Sequence, residues 1–312
     1  MHEQIVEITE KLKKSLEELF DSETYKKYLK TMSKFHNYSW SNVLLISMQK
    51  PDATLVAGYT SWVKDFGRNV KKGEKGIRII APAPIKKKVQ KDVIDDISNT
   101  VTKEEVEVII PNFRVVTVFD YSQTEGKELP AIGVDELTGN VSNYQELIDA
   151  LMKLSPVPVE FSDIVGGAKG FYSLVDKKIV LQKNMSEIQT TKTLIHEIAH
   201  ALLHDRDRLQ TEGDNDVKKT KNRKEIEAES VAFTVCEHLG ISTSDYSFSY
   251  IAGYSKDKEL KELKESMETI RKTASRIISG IEEIYKEKNL TIAETPEMGI
   301  QKKTVQGMES SR

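Results

Sequence analysis

Two histidines four residues apart, with a glutamate beside the first, are the residues of this chain best suited to chemistry: His196, Glu197 and His200 in the run HEIAH. On a helix, positions i and i+4 project from one face one turn apart, so two imidazoles can share one Zn²⁺. Glu197 then lies about 100° round the helix, where its carboxylate faces a water rather than the metal. A metal there lowers the pKa of that water and polarises a carbonyl. The carboxylate takes the proton and passes it to the leaving amine. Leu194, Ile195, Ile198, Ala199, Ala201 and Leu202 are uncharged, which suits a buried active-site helix.

A hydrolytic zinc centre needs a third protein ligand and an open position. An acidic run downstream, EIEAESVAF at 225–233, offers Glu225, Glu227 and Glu229. Its apolar stripe of Ala228, Val231, Ala232, Val235 and Leu239 puts Glu227 and Glu229 about 100° to either side of Ala228. Periodicity therefore does not choose between them. His204 continues the i+4 series but lacks the glycine turn that would bring a third histidine back to the metal, and Asp205 ranks with it. His2, His36 and His238 stand apart from one another in sequence and read as surface or packing residues. Tyr250, in the run YIAGY, is a candidate donor to a developing oxyanion.

A second constellation lies in the N-terminal half. Tyr38, Trp40, Tyr59, Trp62 and Phe66 interleave with Arg68, Lys71, Lys72 and Lys75. Exposed rings stack unpaired bases while cations track phosphates, and Gly67, Gly73 and Gly76 would let backbone N–H groups approach an anion. The competing reading places Trp40 and Trp62 in a core. Between residues 61 and 90, nine Lys or Arg face only Asp65 and Glu74, a net +7 in a chain of net −3, so the remainder carries −10. Such asymmetry points to a local polyanion partner or to a solvated basic hairpin.

The elements that must position these residues follow from periodicity and punctuation. Ile5, Ile8, Leu12, Leu16 and Leu19 begin two amphipathic helices over 1–34, and 41–48 is a short helix stopped before Pro51. Residues 58–84 mix short helix and strand, with 77–81 a strand. Residues 86–105 are charged and read as a protruding hairpin or loop, and 106–110 and 113–119 as strands. Residues 143–154 are helical, and 171–174 and 178–181 form a hairpin. Ser186 with Gln189 caps a helix running to about His204. A polar loop, 206–221, precedes a helix over 224–239 closed by Gly240, and a long helix spans about 257–285. Strands and helices do not alternate as βαβ units, so the class is α+β. The expected organisation is a first domain at 1–125, a linker at 126–140, a second domain at 141–286 and a loose tail at 287–312.

The 312 residues, 38% hydrophobic and 30% charged, allow two globular domains and exclude collagen-like, fibrous and membrane classes. Residues 1–14 are charged throughout, unlike a secretory signal. Cys236 is the single cysteine. It can form no internal disulfide, and the expectation is a cytoplasmic protein with no membrane partner.

The run TLIHEIAHALLH at 193–204 resembles the ImmA/IrrE-type metallopeptidases, a zincin-like family. There the third zinc ligand is a Glu of a Glu-Ala pair on the following helix, and this resemblance selects Glu227. In the N-terminal half, FHNYSWSNVLLI at 35–46, ATLVAGYTSW at 53–62, GRNVKKGEKGI at 67–77 and VFDYSQTEG at 118–126 resemble the single-stranded-DNA-binding domain of ArdC-type antirestriction proteins. ArdC-like proteins, and LtrC-like proteins of conjugative elements, join such a domain to a zincin-type peptidase domain. The likeness covers about residues 5–254 and departs from the family mainly at 86–105. It implies Zn²⁺ as cofactor, single-stranded DNA and a protein or peptide substrate as partners, and protection of the incoming DNA of a mobile element from restriction. Tyr38, Trp40, Trp62, Arg68, Lys71, Lys72 and Lys75 are the expected DNA contacts. Two rival readings are a regulatory peptidase that cleaves a repressor and a DNA-binding protein with a purely structural zinc. Glu197 argues against the latter, because a structural site has no use for a base beside the water.

Overall fold

The computed structural model describes residues 2–19, 21–94, 101–129, 144–205, 221–241, 243, 244, 246, 248 and 257–288. Three helices open the chain: α1 His2–Glu18, α2 Ser22–Lys34 and α3 Trp40–Gln49. The apolar stripe of α1 buries Ile8 and Leu16. Asp21 caps α2 by accepting from Thr24 N at 2.8 Å, and Ser39 caps α3 by accepting from Asn42 N at 3.3 Å, each satisfying a donor the helix leaves open.

A small antiparallel sheet follows, with β1 Val56–Gly58 and β3 Ile77–Pro82 flanking β6 Phe113–Asp120. The outer edge of β3 is met by amide side chains of α3. Asn42 exchanges two hydrogen bonds with the backbone of Ile80 (2.8 and 2.9 Å), and Gln49 does the same with Arg78 (2.9 Å each). These amides act as a surrogate strand at an edge that would otherwise be open. Helix α4, Tyr59–Lys64, packs Trp62 with Leu55, Ala57 and Phe66 into a separate small core. Beside it, β2 Arg68–Val70 pairs with β7 Thr124–Gly126 after a 3₁₀ turn at Tyr121–Gln123.

The segment expected as a hairpin or loop at 86–105 belongs to a ten-residue hairpin pair, β4 Ile85–Ile94 and β5 Val101–Ile110. Lys86 pairs with Glu107 at 2.9 Å and Lys88 with Glu105 at 3.4 Å. Part of the +7 counted over 61–90 is thus neutralised by acids just outside that window.

The C-terminal half begins with α5 Tyr144–Leu154. Its sheet places β10 Lys178–Gln182 between parallel β8 Val159–Ser162 and antiparallel β9 Gly170–Ser173. Helix α6, Glu187–Leu203, lies on this sheet and starts where Ser186 accepts from Gln189 N at 3.3 Å. The contact is close at Gly170, where a Cβ would sit 2.6 Å from Thr193 Cγ2. Helix α7, Lys221–His238, and helix α8, Asp257–Glu287, complete the described fold. Gly240, at φ 69°, takes the left-handed conformation that ends α7. The architecture is α+β, as the patterning implied. One continuous core joins Leu16, Tyr25 and Leu29 of the N-terminal segment to Val231, Ile270 and Ile281 of the C-terminal half. Tyr25 Oη lies 3.0 Å from Ser230 Oγ across that seam.

The expected loop at 206–221 is outside the described residues but for Lys221, which begins α7. The stretch 130–143, which takes in most of the expected linker, Tyr250, and residues 289–312 of the expected tail also lie outside them.

Candidate metal centre and nucleic-acid face

Helix α6 brings His196 and His200 together as the i, i+4 spacing requires. Their Nε2 atoms are 3.0 Å apart and their rings meet edge to face. The third group facing them comes from α7. Glu225 Oε2 stands 3.7 Å from His196 Nε2 and 3.6 Å from His200 Nε2. Ligands around a tetrahedral zinc with bonds of about 2.0–2.1 Å lie about 3.3 Å apart, so this His–His–Glu triangle fits a zinc-sized ion. Among the described residues these three form one of two groups whose ligand atoms all lie within 4.8 Å of one another.

Glu227, the third ligand that the resemblance selects, is not among the groups gathered here around the two histidines. Glu227 is fully buried, and its carboxylate is engaged elsewhere. Oε1 accepts from Arg223 Nε at 3.1 Å and from Ser266 Oγ at 2.7 Å, and Oε2 lies 3.2 Å from His204 Nε2. It reaches the centre indirectly. His204 Nδ1 is 2.9 Å from His200 Nδ1. If His200 keeps Nε2 bare for an ion, its Nδ1–H donates to His204, and His204 Nε2–H then donates to Glu227. The chain Glu227–His204–His200 thereby fixes one tautomer of His200. Glu229 stands 3.9 Å from His196 Nδ1, on the groove side. The three glutamates that sequence periodicity left ambiguous thus occupy three different places.

Glu197 sits beside the histidines at the wall of a groove of about 290 Å³, lined also by Lys169, Gly170, Gln189, Lys192 and Tyr246. Burial raises its carboxyl above the ordinary carboxylate range, against the pull of His196 and His200 and a hydrogen bond from the Tyr172 backbone. Burial draws His196 toward neutrality, but Glu225, Glu197 and Glu229 together outweigh it and hold its pKa above the usual imidazole value. Contact with both histidines keeps Glu225 well below the carboxylate range.

The expected DNA contacts divide. Trp62 is corrected: it is fully buried, and its Nε1–H donates to Phe119 O at 2.9 Å. Arg68 is corrected too. Its buried guanidinium donates to Thr124 Oγ1 at 2.7 Å and Thr124 O at 2.9 Å and to the carbonyls of Gly126 and Lys127, and it lies 4.3 Å from the centre of the Tyr121 ring. It staples β2 to β7, with four of its five N–H donors engaged within the fold. Tyr38 and Trp40 are half-buried against the main core. Lys71, Lys72 and Lys75 are exposed. Gly76, expected to admit an anion, is instead required by packing, since a Cβ there would meet Thr117 Cγ2 at 2.1 Å. Among the described residues, the exposed rings of this half are Tyr59 at 57% and Phe113 at 54%. The register sets Gly58 and Ile77 both opposite Val118, so Tyr59 and Lys75 leave the sheet within three residues of one row.

Fold and site define an α+β chain whose second half carries an HEIAH helix over a three-stranded sheet. Residues 1–119 match the family model for the N-terminal domain of anti-restriction factor ArdC, and residues 156–241 match that for the IrrE N-terminal-like domain, a peptidase family. The chain is therefore ArdC-like, with an ArdC-type N-terminal domain followed by an IrrE-like peptidase-type domain. The uncharacterized Bacillus anthracis protein pXO2-81 is 28% identical over 291 residues, covering 80% of this chain and 46% of that protein. The chain thus spans about half the length of that relative. Two solved structures of the antirestriction protein ArdC from plasmid R388 are also similar. The metal-free one is 22% identical with a TM-score of 0.47, covering 81% of this chain and 86% of that one. The Mn(II)-bound one is 20% identical with a TM-score of 0.46, covering 80% and 84%.

Proposed function

We propose that this protein is an antirestriction factor of a mobile or conjugative element that binds single-stranded DNA through residues 1–125 and hydrolyses peptide bonds at a zinc centre within 141–286. The observation that carries the reading is the convergence of His196, His200 and Glu225, with His196 and Glu197 lining a groove. His196, His200 and Glu225 hold the ion, which supplies a Lewis acid for a substrate carbonyl and for water. Glu197 accepts the proton of the attacking water and returns it to the departing amine, a task suited to a carboxyl whose pKa burial has raised. The Tyr172 N–H holds this carboxylate from strand β9. Glu227 and His204 orient His200. A purely structural ion would need neither the groove nor a base beside it.

Support for DNA binding is the ArdC-type N-terminal match together with the exposed Lys71, Lys72, Lys75 and Tyr59. Single strands present unstacked bases to such a ring and phosphates to such cations. A cytoplasmic location suits a protein with DNA as partner, and no helix among the described residues is long and apolar enough to cross a membrane.

The test uses the full chain. Glu197→Gln is expected to retain zinc and to lose cleavage of an unstructured peptide library by a factor of about 10²–10⁴, while binding a single-stranded oligonucleotide like the wild type. Retained cleavage in Glu197→Gln would remove the peptidase reading. Equal affinity for single strand and duplex at low salt would remove the DNA reading.

A further inference from the structure

A second cluster of ligating atoms lies away from the HEIAH helix, on the seam between the N-terminal helices and the C-terminal half. His36 follows α2, His238 ends α7 and Glu282 lies on α8. His36 and His238 are almost wholly buried, and their rings meet edge to face with centres 5.3 Å apart. His36 Nε2, His238 Nε2 and Glu282 Oε1 are buried atoms with no hydrogen-bond partner. An unsatisfied buried polar atom is costly, and three converging on one point call for an explanation.

The surrounding hydrogen bonds dictate what these atoms present. His238 Nδ1 lies 2.9 Å from the carbonyl oxygen of Ser33. A carbonyl only accepts, so Nδ1 carries a proton, and the tautomer this selects presents Nε2 as the lone pair available to an ion. Ser275 Oγ donates to Asn37 Oδ1 at 3.4 Å and therefore accepts from His36 Nδ1 at 3.3 Å. His36 Nε2 is bare for the same reason. Two imidazole lone pairs thus face a carboxylate oxygen, which lies 3.2 Å from His238 Nε2 without the angle of a hydrogen bond. Lone pairs aimed at one another repel unless a cation lies between them. Arg271, beside the cluster, is engaged with Glu268 and with the backbone oxygen of His36.

We propose that His36, His238 and Glu282 form a second, structural site for a divalent transition-metal ion such as Zn²⁺, which pins the N-terminal helices to α7 and α8. The ligand atoms all lie within 4.8 Å of one another, and the 3.2 Å approach matches the edge of a zinc tetrahedron, about 3.3 Å. The backbone carbonyl of Ser33 and the hydroxyl of Ser275 are the outer partners that metal-bound histidines use to fix their tautomer. Glu282, partly exposed, provides the way in.

The experiment separates this site from the HEIAH centre by disabling the latter. Full-chain protein carrying His200→Ala is dialysed against Zn²⁺ and its metal counted by mass spectrometry, with thermal unfolding measured alongside. The expected result is one equivalent in His200→Ala, with an unfolding temperature raised by Zn²⁺, and two equivalents in the wild type. Adding Glu282→Ala is expected to remove that equivalent and abolish the shift. His238→Gln is a second route to the same loss, and a cooperative melt without metal shows that each variant is folded. Co²⁺ in His200→Ala should give the visible absorption of a tetrahedral His–His–Glu site. No bound Zn²⁺ in folded His200→Ala, or an equivalent that survives both Glu282→Ala and His238→Gln, would overturn the proposal; the first outcome would leave a proton shared between His238 and Glu282 as the occupant.

Discussion

Side chains of one chemical type do different work here according to what surrounds them. Glu225, half exposed, faces two imidazoles; Glu227, fully buried, faces Arg223, Ser266 and His204; Glu229 lies beside His196 Nδ1. Glu225→Gln is expected to lower zinc affinity at the HEIAH centre at least tenfold while leaving the stability of the metal-free protein nearly unchanged, since a half-exposed pair contributes little. Glu227→Gln is expected to behave in the opposite way. Removing that charge takes one carboxylate from the buried Arg223 guanidinium and leaves it the half-exposed Glu265, 3.5 Å away, a cost of up to about 3–5 kcal/mol, and loosens the metal only as far as His200 loses its orientation. Urea denaturation beside a zinc titration against a competing chelator checks both. Equal destabilisation by the two substitutions would contradict the division of roles.

Elements explain why some of this was legible in the sequence and some was not. The HEIAH helix was, because Ser186 caps it and its apolar frame shows a buried face. Helix α7 was legible as a helix, but the facing of its glutamates was not, because Arg223, Ile226, Glu227, Ala228, Ser230 and Val231 are all buried and no polar face marks a direction. The likeness of the Glu-Ala pair then pointed to Glu227. Two sequence signals pointed to the partners Glu227 has in this structure: Arg223 stands four residues before Glu227, an ion-pair spacing, and His204 stands four after His200. Trp62 was misplaced because composition does not distinguish a ring that stacks on bases from one that fills a core. The α4–β6 packing predicts that Trp62→Ala costs about 3–5 kcal/mol of stability and affects DNA binding only through unfolding. Cys236 on α7 gives a pH dependence. Burial pushes its thiol up to about 12, above its ordinary value near 9. The folded pKa is the higher one, so this contribution is fully present below about pH 9 and is lost as the unfolded chain ionises between about pH 9 and 12. Alkaline destabilisation in this window is expected to be smaller in Cys236→Ala relative to its own stability at pH 7, as read from urea midpoints across pH. A thiol reagent is expected to label the wild type only after unfolding.

On the scale of the whole molecule, the N-terminal helices and the peptidase-type half share one core, with Tyr25 and Leu29 packed into the same cluster as Val231 and Ile270. Residues 1–125 expressed alone would expose that seam, so they are expected to melt less cooperatively and to aggregate more than the full chain. Circular dichroism with light scattering would show it, and an independently stable fragment would contradict it. The proposed DNA binding is expected of the intact protein for the same reason. Lys71→Glu with Lys72→Glu should weaken single-strand binding and flatten its salt dependence, because fewer counterions are released; an unchanged slope in anisotropy titrations would exclude that surface. The central claim is the metal triangle, and the most direct measurement is an anomalous difference map at the zinc edge from a crystal of the full chain equilibrated with Zn²⁺. The expected result is a peak bounded by His196 Nε2, His200 Nε2 and the Glu225 carboxylate, each at about 2.0–2.2 Å, with Glu197 outside bonding distance. A peak ligated by Glu227 or Glu229 in place of Glu225, or no peak between the two histidines, would contradict the account.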